Sequence, residues 1–383
     1  MTVERICPVC QGRAWSDFLT TGSGRVLVGG DQRVVPGDIH KLECSICGTI
    51  SNARIASAEE LQNLYTNEYL GQQAGMDHIF FDEGNMKTRG RVIYEWLRPW
   101  LPQSPASLIE IGCGEGHVLM HVAKEMPWLK CRGIEGSQRA SDIARQAGLE
   151  VDNLLISGDY AISEDFDVII CFGVLEHIEE IESFIGILLK IATTGGRYIF
   201  GVPLQDFLTH DVFFSEHIWH WTSGQFIRML SRMGLNAVMV DNNPDYPGFG
   251  LFVCHKSDSA GVCPEISDSN ARSIRDWWLG TFKSIDNWLA ENGDKRIAVF
   301  GAGEILCLLM AYTDLGKREI IACLDEDIRK HGLFNGIPVY APDWLNDNEV
   351  DAVILTLNLR YQSLVAKKME GYGVEVYSWG CNI

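Results

Sequence analysis

Apolar residues along the chain group into runs typical of buried strands, which alternate with segments of helical spacing. The runs at 107–113, 131–135 and 166–172 predict strands, while 117–126 and 222–233 predict helices. Strands that alternate with helices of this length are typical of an α/β protein with a parallel sheet.

The two ends of the chain follow other patterns. Residues 21–39, rich in Gly and Val, predict hairpin strands, and the polar residues 255–270 predict a linker. A packing stripe at helical spacing follows, formed by Ile274, Trp278, Phe282, Ile285 and Leu289. A second, short Rossmann-like unit is then predicted from strands at 297–300, 320–324 and 353–357 and a helix at 304–312. Leu306 replaces a glycine of the dinucleotide pattern, which argues against an NAD site there.

Length and composition limit the class of protein. With 383 residues the chain predicts two or three domains, and 46% apolar with 22% charged residues is typical of a packed globular protein. No apolar run reaches the roughly 18 residues that a membrane span needs, and the first residues lack a secretory signal pattern. We therefore expect a cytoplasmic protein without a membrane partner.

The formal net charge of −19 argues against nucleic acid as a substrate. Such a surface repels a phosphodiester backbone, and no stripe rich in Lys and Arg offsets it. A small-molecule substrate is the expectation.

Four of the 12 cysteines are paired, as Cys7-Pro8-Val9-Cys10 and Cys44-Ser45-Ile46-Cys47. Two such knuckles supply four sulfurs in a tetrahedron, the geometry of a closed structural zinc site. Redox pairs or free thiols are the alternative, but a thioredoxin-like motif would follow a strand and open a helix. We predict a structural Zn²⁺ on Cys7, Cys10, Cys44 and Cys47. The expected domains are a zinc-ribbon and lid module at 1–65, a catalytic domain at 66–255 and a Rossmann-like domain at 256–383.

A glycine-rich turn, Gly112-Cys113-Gly114-Glu115-Gly116, follows Glu110 and joins a strand to its helix. Such a turn lets backbone N–H groups approach a ligand closely, although alone it would fit any nucleotide-binding fold. Glu135 ends the next strand, where a carboxylate can accept hydrogen bonds from both hydroxyls of a ribose. Asp159, followed by Tyr160, is placed to accept from an adenine amino group.

An insertion from Leu204 to Trp221 precedes the helix at 222–233. Ligands of open α/β sheets bind beyond the carboxyl ends of the strands, so this insertion should roof the pocket. Within it, Glu216 and His217 form a candidate acid–base pair, because His titrates near neutral pH and a carboxylate can orient it. A loop salt bridge is the alternative for this pair.

The other histidines near this pocket carry weaker signals. His177, which follows the strand at 166–172, faces the same space by topology, or is part of the turn that starts the next helix. His210 and His220 are expected to be solvated or packed against the tryptophans of the insertion.

Residues 86 to 255 resemble a class I S-adenosylmethionine-dependent methyltransferase. The resemblance rests on the order of the motifs: strand–GxGxG–helix, an acid after the second strand, Gly-Asp before a strand that ends in Leu175-Glu176-His177-Ile178, and the run from Gly195 to Pro203. It implies an α/β fold with a seven-stranded sheet and a reversed last hairpin, here Leu235–Asp241 and Phe249–His255. It also implies S-adenosylmethionine as cofactor. The implied cofactor residues are Glu110, Gly112, Gly114, Gly116, Glu135, Asp159 and Tyr160.

The order of parts over the whole chain resembles the three-domain sugar C-methyltransferases that act on nucleotide-linked 4-keto deoxysugars. The shared motifs are the two CxxC pairs, Leu175-Glu176-His177-Ile178 and Glu216-His217. That family has Tyr-x-Glu-His where this chain has Phe214-Ser215-Glu216-His217. It has Gly-Tyr-Gly-Ala and a nearby Lys where this chain has Gly301-Ala302-Gly303-Glu304 and no such Lys.

The resemblance implies a mechanism in which a base removes the proton beside a ketone and the enolate attacks the sulfonium methyl. His217, held by Glu216, would be the base. His177, or the phenol of Tyr69, would hydrogen-bond the developing enolate oxygen. The implied partner is a nucleotide sugar, and a monomer or homodimer is expected.

Three other functions compete. An O- or N-methyltransferase on a sugar or small natural product needs the same cofactor site and the same base. A zinc-ribbon RNA methyltransferase has a similar architecture, but the net charge of −19 argues against it. A non-enzymatic binding module is disfavoured because the cofactor acids Glu135 and Asp159 are both present.

Overall fold

The predicted alternation of strands and helices is present in the computed structural model, which describes residues 5–28, 32–54, 60, 63, 76–82, 85–156, 164–257 and 270–379. The strands are, in chain order, β1 (Trp15–Thr20), β2 (Arg25–Val28), β3 (Arg33–Pro36), β4 (His40–Cys44), β5 (Ile50–Asn52), β6 (Ile79–Asp82), β7 (Asn85–Thr88), β8 (Ala106–Ile111), β9 (Leu129–Glu135), β10 (Val151–Asn153), β11 (Phe166–Phe172), β12 (Ala192–Pro203), β13 (Trp219–His220), β14 (Leu235–Asp241), β15 (Phe249–Lys256), β16 (Ile297–Phe300), β17 (Ile320–Leu324), β18 (Gly332–Phe334), β19 (Ile337–Tyr340), β20 (Ala352–Leu355) and β21 (Glu375–Tyr377). The α-helices are α1 (Arg89–Leu97), α2 (His117–Glu125), α3 (Gln138–Gln146), α4 (Ile181–Lys190), α5 (Ser223–Arg232), α6 (Ala271–Glu291), α7 (Glu304–Tyr312) and α8 (Leu359–Met369).

Two compact units make up the chain, and each combines separate stretches of sequence. Unit 1 consists of Met1–Leu19, His40–Val212 and Glu216–Ile274, and unit 2 of Thr20–Ile39, Phe213–Ser215 and Arg275–Ile383. The hairpin predicted at 21–39 is formed by β2 and β3 and belongs to unit 2. The division into residues 1–65, 66–255 and 256–383 stays a prediction.

The central sheet of unit 1 has seven strands in the order β10-β9-β8-β11-β12-β15-β14. Five strands, β10, β9, β8, β11 and β12, pair parallel with one another, and β15 is antiparallel to both β12 and β14. The predicted seven-stranded sheet with a reversed last hairpin is therefore confirmed. Strand β11 is almost wholly buried, which explains its continuous apolar sequence, because strands covered on both faces do not alternate.

The register of the central sheet decides where a site can form. Strands β8 and β11 are neighbours, with Ile111 opposite Cys171, so the segments that follow them leave the same edge side by side. One is the glycine-rich turn, and the other is the turn that contains the Leu175–His177 3₁₀ helix. Crevices beyond the carboxyl ends of such strands are where open α/β sheets bind ligands.

A second, four-stranded sheet of unit 1 has the order β1-β4-β5-β13. Strand β13 belongs to the insertion after β12 and pairs antiparallel with β5, with Trp219 opposite Ser51 and His220 opposite Ile50. Strand β4 ends at Cys44, the first cysteine of the second pair. The insertion and the strand that leads to the cysteines therefore share one hydrogen-bonded sheet.

Unit 2 contains a six-stranded sheet in the order β18-β19-β17-β16-β20-β21. Helix α6 carries the predicted apolar stripe, and all five of its residues are buried. Tyr312 of α7 accepts a hydrogen bond from the backbone N–H of Leu27 in β2 at 3.2 Å, which ties the hairpin to this unit. Among the helices that the structure describes, none is both long and apolar enough to cross a membrane.

Helix α5 begins at a complete capping box formed by Thr222 and Gln225. The Thr222 hydroxyl accepts from the backbone N–H of Gln225, and the Gln225 side chain accepts from the backbone N–H of Thr222 at 2.9 Å. Gln225 also donates to the carbonyl of Cys47 at 2.7 Å. One side chain therefore stabilises the start of the helix and the second cysteine knuckle together.

We expect Thr222→Ala to lower the free energy of unfolding by about 1 kcal/mol, the usual cost of losing an N-cap. Gln225→Ala should cost more, because it leaves a helix N–H and the buried Cys47 carbonyl without partners. Urea unfolding of the three proteins measures both changes, and Thr222→Ser, which keeps the hydroxyl, is the matched control. An equal loss for the two alanine variants would contradict the double role of Gln225.

Candidate active site

The glycine-rich turn between β8 and α2 has the conformation that its sequence predicts. Gly112, Gly114 and Gly116 have φ angles of 70°, 55° and 78°, a region that side chains with a Cβ rarely adopt. A Cβ on Gly112 would lie 2.5 Å from Val174, so the turn packs tightly against the segment after β11. A Cβ on Gly114 would meet no atom of the described residues within 4 Å. The backbone at Gly114 is therefore open to a ligand.

Glu135 is anchored at the end of β9, where the sequence places it. Its two carboxylate oxygens accept from the backbone N–H groups of Gly114 at 2.8 Å and Ser137 at 2.7 Å. Burial raises the pKa of Glu135, and these hydrogen bonds oppose the rise. The backbone N–H of Gly136 also interacts with this carboxylate. A carboxylate has about four acceptor positions, so it can still accept from a hydroxyl group of a ligand.

Glu110 lies on β8 next to the turn and is buried. Its Oε2 has no hydrogen-bond partner among the described residues. Burial raises the pKa of Glu110 to about 8, against the attraction of Arg89, with repulsion from Glu135 adding to the rise. At neutral pH the group is therefore mostly protonated and can donate a hydrogen bond. The predicted cofactor residues Asp159 and Tyr160, and the predicted catalytic Tyr69, lie outside the described residues.

His217 is buried, and its partner is a different carboxylate from the one the sequence suggests. Its Nδ1 hydrogen-bonds Oδ1 of Asp211, six residues earlier, whereas the sequence analysis assigned this place to the adjacent Glu216. Adjacency in sequence is a poor guide to contact in such an irregular segment. The insertion contains two other acids, Asp206 and Asp211, and nothing local in the sequence singles out Asp211 as the partner of His217.

His220 completes this cluster, which corrects a second expectation. The sequence analysis placed His220 in solvent or against tryptophans, but its side chain is fully buried and its Nδ1 hydrogen-bonds Oδ2 of Asp211. Both oxygens of Asp211 are thus engaged by imidazole rings. No local sequence pattern marks His220, because its place depends on the pairing of β13 with β5, which only the fold reveals.

His177 and His217 do come together, as predicted. Their rings are perpendicular, with centroids 4.6 Å apart. Nδ1 of His177 lies 3.3 Å from the carbonyl oxygen of Glu216. One carboxylate oxygen of Glu176 and one ring nitrogen of each histidine lie within 4.8 Å of one another. The structure therefore brings the Leu175–Ile178 motif and the insertion into one group.

Lys41 is a member of the group that sequence reasoning missed. It lies on β4, its side chain is fully buried, and its Nζ donates to the carbonyl of His217 at 2.8 Å. The same Nζ lies 2.9 Å from Nε2 of His220. A single lysine on a short strand carries no pattern that marks it, because its role depends on residues far away in sequence.

Electrostatics favour a charge-separated His217–Asp211 pair. Burial alone would lower the pKa of His217, but the charge of Asp211 and the hydrogen bond to it raise the pKa to about 9. Burial would raise the pKa of Asp211, but the charges of His220 and His217 hold that pKa far below its usual range. The pair is therefore ionic at neutral pH, and the neutral His217 ring becomes a strong base as pH rises.

The surroundings also shift the pKa values of three neighbouring groups, His177, His220 and Glu176. Burial, with repulsion from His217, lowers the pKa of His177 to about 3. Burial, with the charge of Lys41, lowers the pKa of His220 to about 4. Burial raises the pKa of Glu176 to about 7 against the attraction of His217. Groups with pKa values pushed apart in one buried cluster are typical of acid–base sites.

The four paired cysteines converge in unit 1. Sγ of Cys7 lies 3.5 Å from Sγ of Cys47, and Sγ of Cys10 lies 3.5 Å from Sγ of Cys44. All four sulfurs lie within 4.8 Å of one another. A tetrahedron with Zn–S bonds of about 2.3 Å has edges of about 3.8 Å, so this donor set fits a zinc ion closely.

Comparison with known proteins assigns the central region of the chain. Residues 87–240 match the family model described as a methyltransferase domain. Norajmaline N-methyltransferase from Rauvolfia serpentina is 31% identical over 149 residues, which cover 32% of this chain and 50% of that protein. Ubiquinone biosynthesis O-methyltransferase from Thiobacillus denitrificans is 29% identical over 112 residues, which cover 27% of this chain and 47% of that protein. The chain spans about half the length of these curated relatives.

Among solved structures, an S-adenosylmethionine-dependent methyltransferase from Mesorhizobium loti is similar at 16% identity and a TM-score of 0.37, over 43% of this chain and 98% of that one. Residues 87–240 therefore form a methyltransferase domain on the seven-stranded sheet described above. This match and the named relatives support the prediction that the domain is a class I S-adenosylmethionine-dependent one.

Proposed function

We propose that this protein transfers a methyl group from S-adenosylmethionine to a small molecule, most specifically to the carbon beside the ketone of a nucleotide-linked deoxysugar. The observation that carries the proposal is the buried Asp211–His217 pair, which meets the segment after β11 at His177. That segment packs against the glycine-rich turn through Val174. A strong base beside a cofactor turn is what removal of a carbon-bound proton requires.

The residues of the turn fit the cofactor. The open backbone at Gly114 admits the methionine portion, and Glu135 holds the ribose through its remaining lone pairs. Glu110, protonated at neutral pH, donates to an acceptor on the cofactor. That Asp159 and Tyr160 bind the adenine stays a prediction from the sequence. When bound, S-adenosylmethionine supplies an electrophilic methyl group on a sulfonium.

Each protein group in the proposed reaction has one task. Because Nδ1–H of His217 donates to Asp211, Nε2 is the atom that accepts the substrate proton. Asp211 stabilises the imidazolium that forms. The new Nε2–H then faces the substrate oxygen, where negative charge develops as the carbon–hydrogen bond breaks.

His177 takes a different role from the donor expected from the sequence. A carbonyl oxygen only accepts hydrogen bonds, so its contact with Glu216 fixes the proton of His177 on Nδ1. Its Nε2 is then an acceptor, and the low pKa keeps the ring neutral. In the proposal, His177 accepts from a hydroxyl of the sugar and orients it.

O- or N-methyl transfer is the second candidate, since the curated relatives are named as N- and O-methyltransferases. The two candidates differ in one step before methyl transfer. Carbon methylation requires exchange of the proton beside the ketone, whereas transfer to oxygen or nitrogen does not. Incubation with keto-sugar nucleotides in D₂O, without S-adenosylmethionine, should incorporate deuterium at that carbon. Methylated product formed without such exchange would favour the second candidate.

The cysteine cluster is proposed to hold a structural Zn²⁺. Four thiolates leave no position for water or substrate, so the ion supports the fold and takes no part in catalysis. The ion would fix the end of β4 and the carbonyl that Gln225 holds at Cys47.

We expect about one zinc per chain by metal analysis, and Cys44→Ser should lose both zinc and the folded signal of the N-terminal segment, because metal binding supplies folding free energy. Cys323→Ser, on a buried cysteine of unit 2, is the matched control and should keep the zinc. A metal-free and fully folded protein would contradict the proposal. A second equivalent of metal would instead indicate an ion among the histidines and contradict the proton-transfer role of His217.

Glu135→Ala should weaken binding of S-adenosylhomocysteine by roughly 2–3 kcal/mol, because two ribose hydroxyls lose a charged acceptor. Glu135→Gln keeps the shape and one acceptor oxygen, so its loss should be smaller. Calorimetric titration measures both affinities. Unchanged binding in the alanine variant would show that the ribose lies elsewhere.

His217→Ala should lower kcat by about 10²–10⁴ while cofactor affinity stays the same, because a general base contributes to the chemical step. Methyl transfer from labelled S-adenosylmethionine measures the rate, and His210→Ala, in the same insertion, is the matched control. If His217→Asn turns over at near wild-type rate, the base is another group.

The pH profile tests the His217–Asp211 pair directly. A base with a pKa near 9 is protonated at neutral pH, so kcat/KM should rise with pH and level off near that value. Asp211→Asn removes the charge that raises this pKa, so the rising limb should move to lower pH while the plateau rate falls. A limb that stays in place would assign the titration to one of the other groups that face His217. These are Glu176, His177, Glu216 and His220, with Lys41 behind them.

A further inference from the structure

Lys41 carries a buried ammonium group on β4. Its side chain is fully buried, and moving a charged group out of water is costly unless the surroundings compensate it. Two of its contacts lie on the insertion: the carbonyl of His217 at 2.8 Å and Nε2 of His220 at 2.9 Å. These two residues also flank Asp211, so Lys41 lies at the end of a chain of hydrogen bonds.

The direction of every proton in this chain can be assigned from Lys41. An ammonium only donates, so Nε2 of His220 accepts and carries no proton. The neutral His220 ring then has its proton on Nδ1, which donates to Oδ2 of Asp211. Oδ1 of Asp211 accepts from Nδ1–H of His217 in the same way. The chain therefore leaves Nε2 of His217 as the atom that gains and loses a proton.

We propose that Lys41 is a positioning residue for the base: through His220 and Asp211 it fixes the tautomer and the orientation of His217. The proposal rests on the proposed function only for the identity of His217 as the base. It assigns a part in catalysis to β4, the strand that runs into the cysteine cluster. Lys41 itself touches neither substrate nor cofactor in this role.

Lys41 can donate to His217 and His220 both below and above its own pKa. Burial lowers the pKa of Lys41 to about 7, although the charges of Asp211 and Glu216 oppose the change. A neutral amine still has two N–H bonds, enough to donate to both His217 and His220. The other titratable groups of the cluster are Glu176 and His177, whose surroundings were described above. The carbonyl of His217 only accepts and takes one N–H of the neutral amine, so the other N–H remains available to Nε2 of His220.

The tautomer of His220 gives a test that needs no substrate. In protein labelled with ¹⁵N-histidine, imidazole NMR should show His220 as a neutral ring with its proton on Nδ1. Lys41→Met removes, at similar size, both donors and the charge that helps to lower the pKa of His220, so Nε2 of His220 should lose its hydrogen bond and gain a proton at higher pH than in the unmodified protein. A His220 signal unchanged by Lys41→Met would overturn the proposal, whatever the enzyme methylates.

Kinetics then test the path from Lys41 to the base. Lys41→Met should lower kcat by about 10–100-fold, as is usual for residues that orient a functional histidine, with the KM for S-adenosylmethionine unchanged. Lys41→Arg, which keeps the donors, should recover part of this loss. In the double variant with His220→Ala, the loss should be smaller than the product of the two single losses. Multiplicative losses would mean that Lys41 does not act through His220.

A control variant separates a positioning role of Lys41 from damage to the fold around β4 and the cysteine cluster. Arg272 pairs with Glu43, two residues after Lys41, and lies outside the chain of hydrogen bonds. Arg272→Met should leave kcat unchanged, and both variants should keep their zinc. If Lys41→Met loses zinc, the role of Lys41 is decided with Lys41→Arg, by measuring both kcat and the NMR signal of His220 in that variant. Loss of kcat in Lys41→Arg with the His220 tautomer intact would contradict the proposal.

Discussion

The buried group of Lys41, Asp211, His217 and His220 depends on one constraint: the negative charge of the Asp211 carboxylate is removed from water and must be compensated. A charge removed from water is tolerated only when hydrogen bonds and opposite charge surround it. His217 and His220 occupy its two oxygens, and Lys41 supplies the donor that orients His220. The fold of the insertion and the geometry of the base therefore depend on the same hydrogen bonds.

The sequence was sufficient where local pattern determines structure. Apolar runs and glycine spacing located β8, β9 and β11, the turn at Gly112–Gly116 and the carboxylate of Glu135. These features involve neighbours in sequence, and the structure places them as expected.

The polar cluster could not be read in the same way. Lys41 and His220 are 179 residues apart and meet only because β13 joins the sheet of β4 and β5. Choosing Glu216 as the partner of His217 followed adjacency in sequence, whereas the fold brings Asp211 to the ring. The role proposed for His177 differs from the one expected from the sequence for a related reason: the carbonyl that fixes its tautomer belongs to Glu216, in the insertion.

The four-stranded sheet also bears on how such a protein can evolve. Pairing between β5 and β13 places residues of the N-terminal segment and of the insertion in one hydrogen-bonded structure. Recombination that exchanged the N-terminal segment for that of a relative would replace Lys41 while leaving His220 and Asp211 behind, buried and poorly matched. We therefore expect a change in one of these two segments to be tolerated only together with a matching change in the other.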